Sequence, residues 1–327
     1  MTVPSKKISV VMCTYNGERF LREQLDSILN QTLLPVEIIV QDDGSTDSTD
    51  MILAEYAAKS SLIKLFKNEG EHGINSNFFT AMRRASADYI ALCDQDDIWE
   101  ADKLFLQAEA IDDKMLCSGF SVPFSTEGYP VSFDHRRPNY HILRVAYLGA
   151  LPGHTFLMKK KLLSYLSEGE RCPYLYDWQL QLVAAAAESI VFVDSTLVHF
   201  RRHAGAATAN LPVDNHFVSK STRQYITITL FHHRKLQAAV RERFKIILTL
   251  LDSFPFQTQS IKDCREMAML QIHRGLMVYC KKTLFFLRQR HQLFYAGGVK
   301  PILLWLRALY FPFSCGYYYR YVLKGKK

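Results

Sequence analysis

The chain has 327 residues, 48% of them hydrophobic, which is enough to bury a full core and more than a single domain usually needs, so one large domain plus an appendage is expected. Seven cysteines without a CxxC pair or regular spacing exclude a zinc site and a disulfide framework and fit a reducing cytosol. The formal charge of +8 hides an asymmetry: residues 1–200 carry 18 Lys and Arg against 27 Asp and Glu, whereas residues 201–327 carry 22 against 5.

The N-terminal "MTVPSKKISVVMCTYN" reaches a turn after one short apolar run and lacks the long h-region of a secretory signal. "ISVVMC" (8–13) reads as a buried strand, followed by the turn "TYNG" and a helix in which Leu21, Leu25, Ile28 and Leu29 recur at helical spacing. "EIIVQ" (37–41) is a second buried strand, "DDGSTDST" a turn with helix-starting residues, and "MILAEYAAK" a second helix. "IKLFK" (63–67), a helix around "NFFTAMRRAS" and "YIALC" (89–93) repeat the alternation. Strands alternating with helices predict an α/β protein with a mostly parallel sheet covered on both faces.

In such a sheet, ligands gather beyond the carboxyl ends of the strands. The unusual residues fall there: "CTYNGE" after the first strand, "QDDGSTD" after the second and "DQDD" after the fourth. Asp94, Asp96 and Asp97 lie within four residues, either as a charged turn before the helix near Glu100 or as a cation site, where a divalent metal turns repulsion into attraction. Three polar loops converging on one crevice favour a binding site over ordinary turns.

The run "ISVVMCTYNGERFLREQLDSILNQT…EIIVQDDGSTDST…YIALCDQDDIWEADKL" resembles the N-terminal half of family 2 glycosyltransferases, and its DQDDIW form resembles bacterial rhamnosyltransferase-like members that build surface polysaccharides such as O-antigen and capsule. The resemblance is strong over residues 6–110 and continues more loosely to about 205. It implies a GT-A fold, Rossmann-like, over residues 1–210, and an inverting transfer of a sugar from a nucleotide diphosphate donor of dTDP or UDP type. It also implies Mg²⁺ or Mn²⁺ as Lewis acid at the leaving diphosphate. By the family's Asp-x-Asp motif, Asp96 would ligate the metal and Asp94 the ribose or the metal through water. Asp43 would accept a hydrogen bond from the base, with Asp42 either holding the turn or sharing that role. Thr14, Tyr15 and Glu18 lie where the family grips base and ribose.

An inverting transfer needs a base opposite the leaving group. Asp177, in "YDW" at the start of an apolar helix, is either a helix cap or, by the resemblance, that base. "GALPGHT" (149–155) resembles the segment lining the acceptor pocket. "STLVHFRRHAGAAT" resembles the family's Tyr-Arg-x-His ending, which would bring Arg201 and Arg202 to the diphosphate and make His203 a further metal ligand; His199 reads as structural.

Residues 211–327 read as three basic, aromatic-rich helical stretches, 216–254, 259–290 and 300–327, none with 18 apolar residues free of charge. Such composition suits the membrane interface. Aromatic-basic interleaving also binds RNA, but no recognisable motif accompanies it, so no nucleic-acid partner is expected. A polyprenyl-diphosphate-linked glycan acceptor and an anionic membrane surface are the expected partners, with the protein cytoplasmic and peripheral on the inner face of the plasma membrane. Two other classes remain: a non-catalytic scaffold in a polysaccharide assembly complex, opposed by the joint presence of Asp94, Asp96 and Asp177, and an aspartyl-nucleophile phosphatase, whose motif "DQDDIW" does not continue.

Overall fold

The computed structural model describes residues 6–147, 149, 151–166, 169–205, 221–294 and 300–314. The chain opens with the predicted alternation: β1 (Ile8–Thr14), α1 (Leu21–Leu29), β2 (Glu37–Asp42), α2 (Thr49–Lys59), β3 (Ile63–Lys67), α3 (Ile74–Arg84) and β4 (Tyr89–Cys93). β1 pairs in parallel with β2 and β4, and β2 with β3. Alternate residues of a strand face opposite sides, so Ile8, Val10 and Met12 join Leu21, Leu25 and Ile28 of α1 and Ile52 and Leu53 of α2 in one core cluster. The opposite face meets α3, where Gln41 Nε2 donates to Asn77 Oδ1 at 2.9 Å. Cover on both faces explains why these strands read as unbroken apolar runs.

After β4 come β5 (Ile98–Trp99), α4 (Lys103–Ala110), β6 (Leu116–Phe124), α5 (Ile142–Tyr147), β7 (Leu157–Lys159), α6 (Tyr176–Ala186) and β8 (Ile190–Arg201). The sheet has eight strands in the order β3-β2-β1-β4-β7-β6-β8-β5. β7 runs antiparallel to both β4 and β6, and β5 antiparallel to β8, so the sheet is mixed beyond its parallel half. β6 and β8 pair in parallel with register shifts around Phe120. A Cβ on the neighbouring Gly119 would come within 2.5 Å of Leu197 Cδ1, so this bulge requires glycine. β1 sits between β2 and β4, the point where strand order reverses, and their carboxyl ends carry Thr14, Asp42 and Cys93.

The chain divides into two compact units, one comprising Met1–Phe133, Leu151–Ala184 and Ser189–Val213, the other Asp134–Ala150, Ala185–Glu188 and Asp214–Lys327. The second is helical, with α7 (Ser221–Ser253), α8 (Gln259–Ile272), α9 (Leu276–Arg288), α10 (Arg290–Leu293) and α11 (Pro301–Ser314) joining α5. Leu236, Val240, Phe244, Ile247 and Leu251 form the buried stripe of α7. The Tyr147 ring meets Phe244 at 4.9 Å and Phe311 at 5.0 Å, and Phe286 meets Phe311 at 5.4 Å. The stretch expected as one helix over 259–290 is broken where Gly275 takes φ +119°, a conformation that glycine adopts without strain. Residues 216–220 and 315–327, expected to be helical, lie outside the described residues. Among the described residues no helix is long and apolar enough to cross a membrane.

Candidate active site

The three loops at the carboxyl ends of β1, β2 and β4 are tied together by their own polar groups. Gln95 accepts from the Tyr15 backbone N–H at 2.9 Å and donates to the Tyr15 carbonyl at 3.0 Å. A Cβ on Gly17 would lie 2.4 Å from Gln95 Oε1, so glycine is what lets the first loop lie this close to the DQDD loop. The Thr14 hydroxyl is buried and donates to Asp42 at 2.9 Å. Asp42 also accepts from the backbone of Gly44 and Ser45 and from the Ser45 hydroxyl, the bonds of an Asx-type turn. Burial would raise its carboxyl, but the bonds from Ser45 and Thr14 outweigh burial and hold it below the usual range.

Asp42 therefore builds the turn and aims Asp43 away from it. Asp43 accepts from Asn68 Nδ2 at 2.6 Å and the Gly73 backbone at 2.9 Å, with His72 Nδ1 at 3.1 Å. Glu18 accepts from the Ser48 backbone N–H at 2.9 Å, at the start of α2. Of the first-loop residues, Thr14 and Glu18 thus spend their side chains on loop construction. Tyr15 presents an exposed ring.

The DQDD loop is held by two imidazoles. His203 Nε2 lies 2.8 Å from Asp96 Oδ2. His154 Nδ1 lies 3.3 Å from Asp94 Oδ2 and 3.5 Å from Asp97 Oδ2, while its Nε2 meets Ser121 Oγ at 2.7 Å and its ring stacks on Phe200. Ligand atoms of Asp94, Asp97 and His154 all fall within 4.8 Å of one another. Asp97 is fully buried; its Oδ1 accepts the Arg201 backbone N–H at 3.1 Å, and its Oδ2 has no hydrogen-bond partner. Burial, with Asp94 and Asp96 adding to it, pushes the Asp97 carboxyl up. For His154 burial acts downward, but the carboxylates of Asp97 and Asp94 outweigh it and pull the imidazole above its ordinary value.

Arg201 is buried behind this loop. Its Nε donates to the Asp96 carbonyl at 2.9 Å and its Nη2 to Glu23 at 2.7 Å, and its guanidinium lies 4.5 Å from the Phe20 ring centre and 4.6 Å from that of Phe124. Sequence reasoning aimed Arg201 at a diphosphate; in the structure its fork is committed to the loop. Arg202 lies 5.8 Å from the Phe200 ring centre and, among the described residues, makes no ion pair. His199 bonds Glu100 at 2.6 Å, away from the carboxylate cluster.

Asp177 lies in the first turn of α6 and accepts the Trp178 backbone N–H at 2.6 Å. Its carboxyl is pushed up to about 6, first by burial and then by the charge of Asp94, against the lowering effect of the Trp178 and Gly153 backbones and His154. A Cβ on Gly153 would sit 2.9 Å from Asp177 Cβ and 2.8 Å from the Tyr176 hydroxyl, so a glycine lets the 149–155 segment reach this helix start. The carboxylates of Asp94 and Asp177 and the His154 imidazole thus share one electrostatic neighbourhood. His154 is the site residue that sequence reasoning missed; Asp97 was read as part of the carboxylate cluster but given no role of its own. The signal for His154 was a solitary imidazole inside a run of small residues, and its partners lie 57 and 60 positions away.

Residues 9–164 match glycosyl transferase family 2. The similarity to that family thus covers just under half of the chain. Its fold is that of GT-A-like glycosyltransferases: TarS of S. aureus, solved with UDP-GlcNAc, superposes with a TM-score of 0.56 at 19% identity over 93% of this chain and 81% of that one. Rv1520 of Mycobacterium tuberculosis, an uncharacterized protein, is 27% identical over 289 residues, covering 82% of this chain and 83% of its own. The Escherichia coli UDP-Glc:alpha-D-GlcNAc-diphosphoundecaprenol beta-1,3-glucosyltransferase WfgD is 39% identical over 100 residues, 31% of this chain and 39% of its own.

Proposed function

We propose that this chain is an inverting, metal-dependent glycosyltransferase that moves a sugar from a nucleotide diphosphate donor to a polyprenyl-diphosphate-linked glycan at the inner face of the plasma membrane. The observation that carries the reading is the convergence of the DQDD carboxylates, two imidazoles and the raised carboxyl of Asp177 at the carboxyl ends of the parallel strands. The activity for which WfgD is named, glucosyl transfer to a diphosphoundecaprenol-linked sugar, supports the acceptor class. Among donors, thymidine-diphosphate rhamnose is the first to test, on the likeness of the DQDDIW segment.

The residues fit a hard divalent cation. Carboxylate oxygens are the donors that Mg²⁺ and Mn²⁺ prefer, and Asp97 Oδ2 is a buried oxygen with no hydrogen-bond partner. Asp96, Asp94 and His203 would hold the ion, with Asp97 and His154 beside them; when bound, it supplies a Lewis acid for the diphosphate leaving group. Tyr15 offers a ring to the base and Asp43 an acceptor to its N–H. Arg202 offers a cation to the diphosphate. Asp177 takes the proton of the attacking hydroxyl, a role served by a carboxyl near 6, which is ionised at neutral pH yet basic enough to accept.

Titration with a panel of nucleoside diphosphates, with and without Mn²⁺, tests the reading. Wild type should bind one nucleotide more tightly by at least tenfold when Mn²⁺ is present, and Asp96→Ala should lose that increment while remaining folded and keeping its metal-free affinity. Metal-independent binding of equal strength in both proteins would remove the metal from the account.

A further inference from the structure

α9 and α11 are packed side by side through Phe286 and Phe311, whose ring centres are 5.4 Å apart, yet each leaves an apolar stripe uncovered. On α11, Ile302, Trp305, Leu306 and Leu309 recur at helical spacing and are between 45% and 61% exposed. On α9, Leu276 and Leu284 lie two turns apart on one face and are 82% and 66% exposed. Scattered apolar residues need no explanation, but exposed apolar residues at helical spacing on two helices in contact do. Arg274, Lys281 and Lys300 are exposed in the same segment. After Glu266 the sequence holds eleven Lys and Arg and not one Asp or Glu.

We infer that the outer faces of α9 and α11 form an amphipathic platform that lies in the interface of an anionic phospholipid bilayer, its leucines and Trp305 in the acyl boundary and its basic side chains at the phosphates. The charge identifies the occupant. A second copy of this chain packed on the same face would bring two sets of excess positive charge together, which costs rather than stabilises. An anionic surface matches that charge and also accepts the apolar stripe. Since no described helix can span a bilayer, the helices lie in its plane. Tryptophan suits this position because its ring is apolar and its N–H polar. The inference deepens the proposed use of a lipid-linked acceptor, but the binding it describes requires neither donor nor acceptor, so the two readings fail separately.

The molecule carries its own reporter. Of its three tryptophans, Trp99 and Trp178 are buried and Trp305 is exposed. Full-length protein mixed with phosphatidylglycerol vesicles at low salt should pellet with them and shift its tryptophan emission to the blue, and both responses should fade at high salt and be absent with phosphatidylcholine vesicles. Lys281→Gln with Lys300→Gln should weaken partitioning about 25-fold, at about fivefold per near-surface charge. Leu306→Asp should abolish the emission shift with the melting temperature unchanged, because that side chain is half exposed. No pelleting and no shift with anionic vesicles at low salt would overturn the inference. Equal binding to neutral vesicles would overturn it too, as would a blue shift that grows with protein concentration in the absence of lipid, the mark of self-association through this face.

Discussion

The sheet unit and the helical unit handle charge in opposite ways. In the first, nearly every carboxylate at the site has a named partner: Asp42 is bonded by Thr14 and Ser45, Asp43 by Asn68 and Gly73, Asp96 by His203, and Asp94 and Asp97 share His154. In the second, α9 to α11 carry basic residues with no acidic residue among them, beside exposed leucines. Matched charge holds loops in one geometry, as chemistry requires. Excess charge of one sign beside apolar surface leaves an external surface to complete it. Composition alone blurs the difference, because the two halves partly cancel in the total of +8.

The largest expected effect tests whether the matched unit is built for chemistry. Asp177→Asn keeps the shape but cannot take a proton, so turnover should fall by about two to four powers of ten with donor affinity near normal. The wild-type rate should drop about tenfold per pH unit below about 6, where the carboxyl is protonated. Stability should move the other way. A raised carboxyl means that the native chain binds this proton more tightly than the unfolded chain, so stability is lost as pH rises from the ordinary value of 3.8 through about 6. Asn removes the buried charge, and the melting temperature at pH 8 should rise by about 2–5 °C. A helix-capping role alone predicts the reverse: lower stability and turnover per folded molecule little changed.

A smaller effect tests the scaffold behind the DQDD loop. Arg201→Lys keeps the charge but loses the forked contact with Glu23 and the Asp96 carbonyl, and the flat ion between two rings. Glu23 is more than half exposed and regains water, so the loss should be about 2–3 kcal/mol rather than that of a fully buried pair. Calorimetry should show a fall of about 5–10 °C. A change of under 1 °C would mean that the loop stands without Arg201.

How far the sequence led differs between these parts for physical reasons. The parallel half of the sheet was legible because strands buried on both faces are continuous apolar runs, as in "ISVVMC" and "EIIVQ". β7 has three residues and β5 two, too short for any period, and β8 was read as a motif because "VHFRRH" resembles one. Asp94, Asp96 and Asp177 stood out by type and position. What Thr14, Glu18 and Arg201 do was hidden, since a polar residue at a strand end can face a ligand or build the loop, and only the partners 28, 30 and 178 positions away distinguish the two. The break of the predicted 259–290 helix hinges on Gly275, which a mean helical pattern absorbs until its φ is known.

The proposed metal-dependent, inverting sugar transfer rests on the clustered carboxylates and Asp177 acting together. The most direct measurement is transfer from nucleotide-diphosphate sugars to a polyprenyl-diphosphate-linked glycan by wild-type protein, with the anomeric configuration of the product read by NMR, in Mn²⁺ and in excess chelator. The account predicts a product of inverted configuration in Mn²⁺ and none in chelator; a retained configuration, or undiminished transfer in chelator, would contradict it.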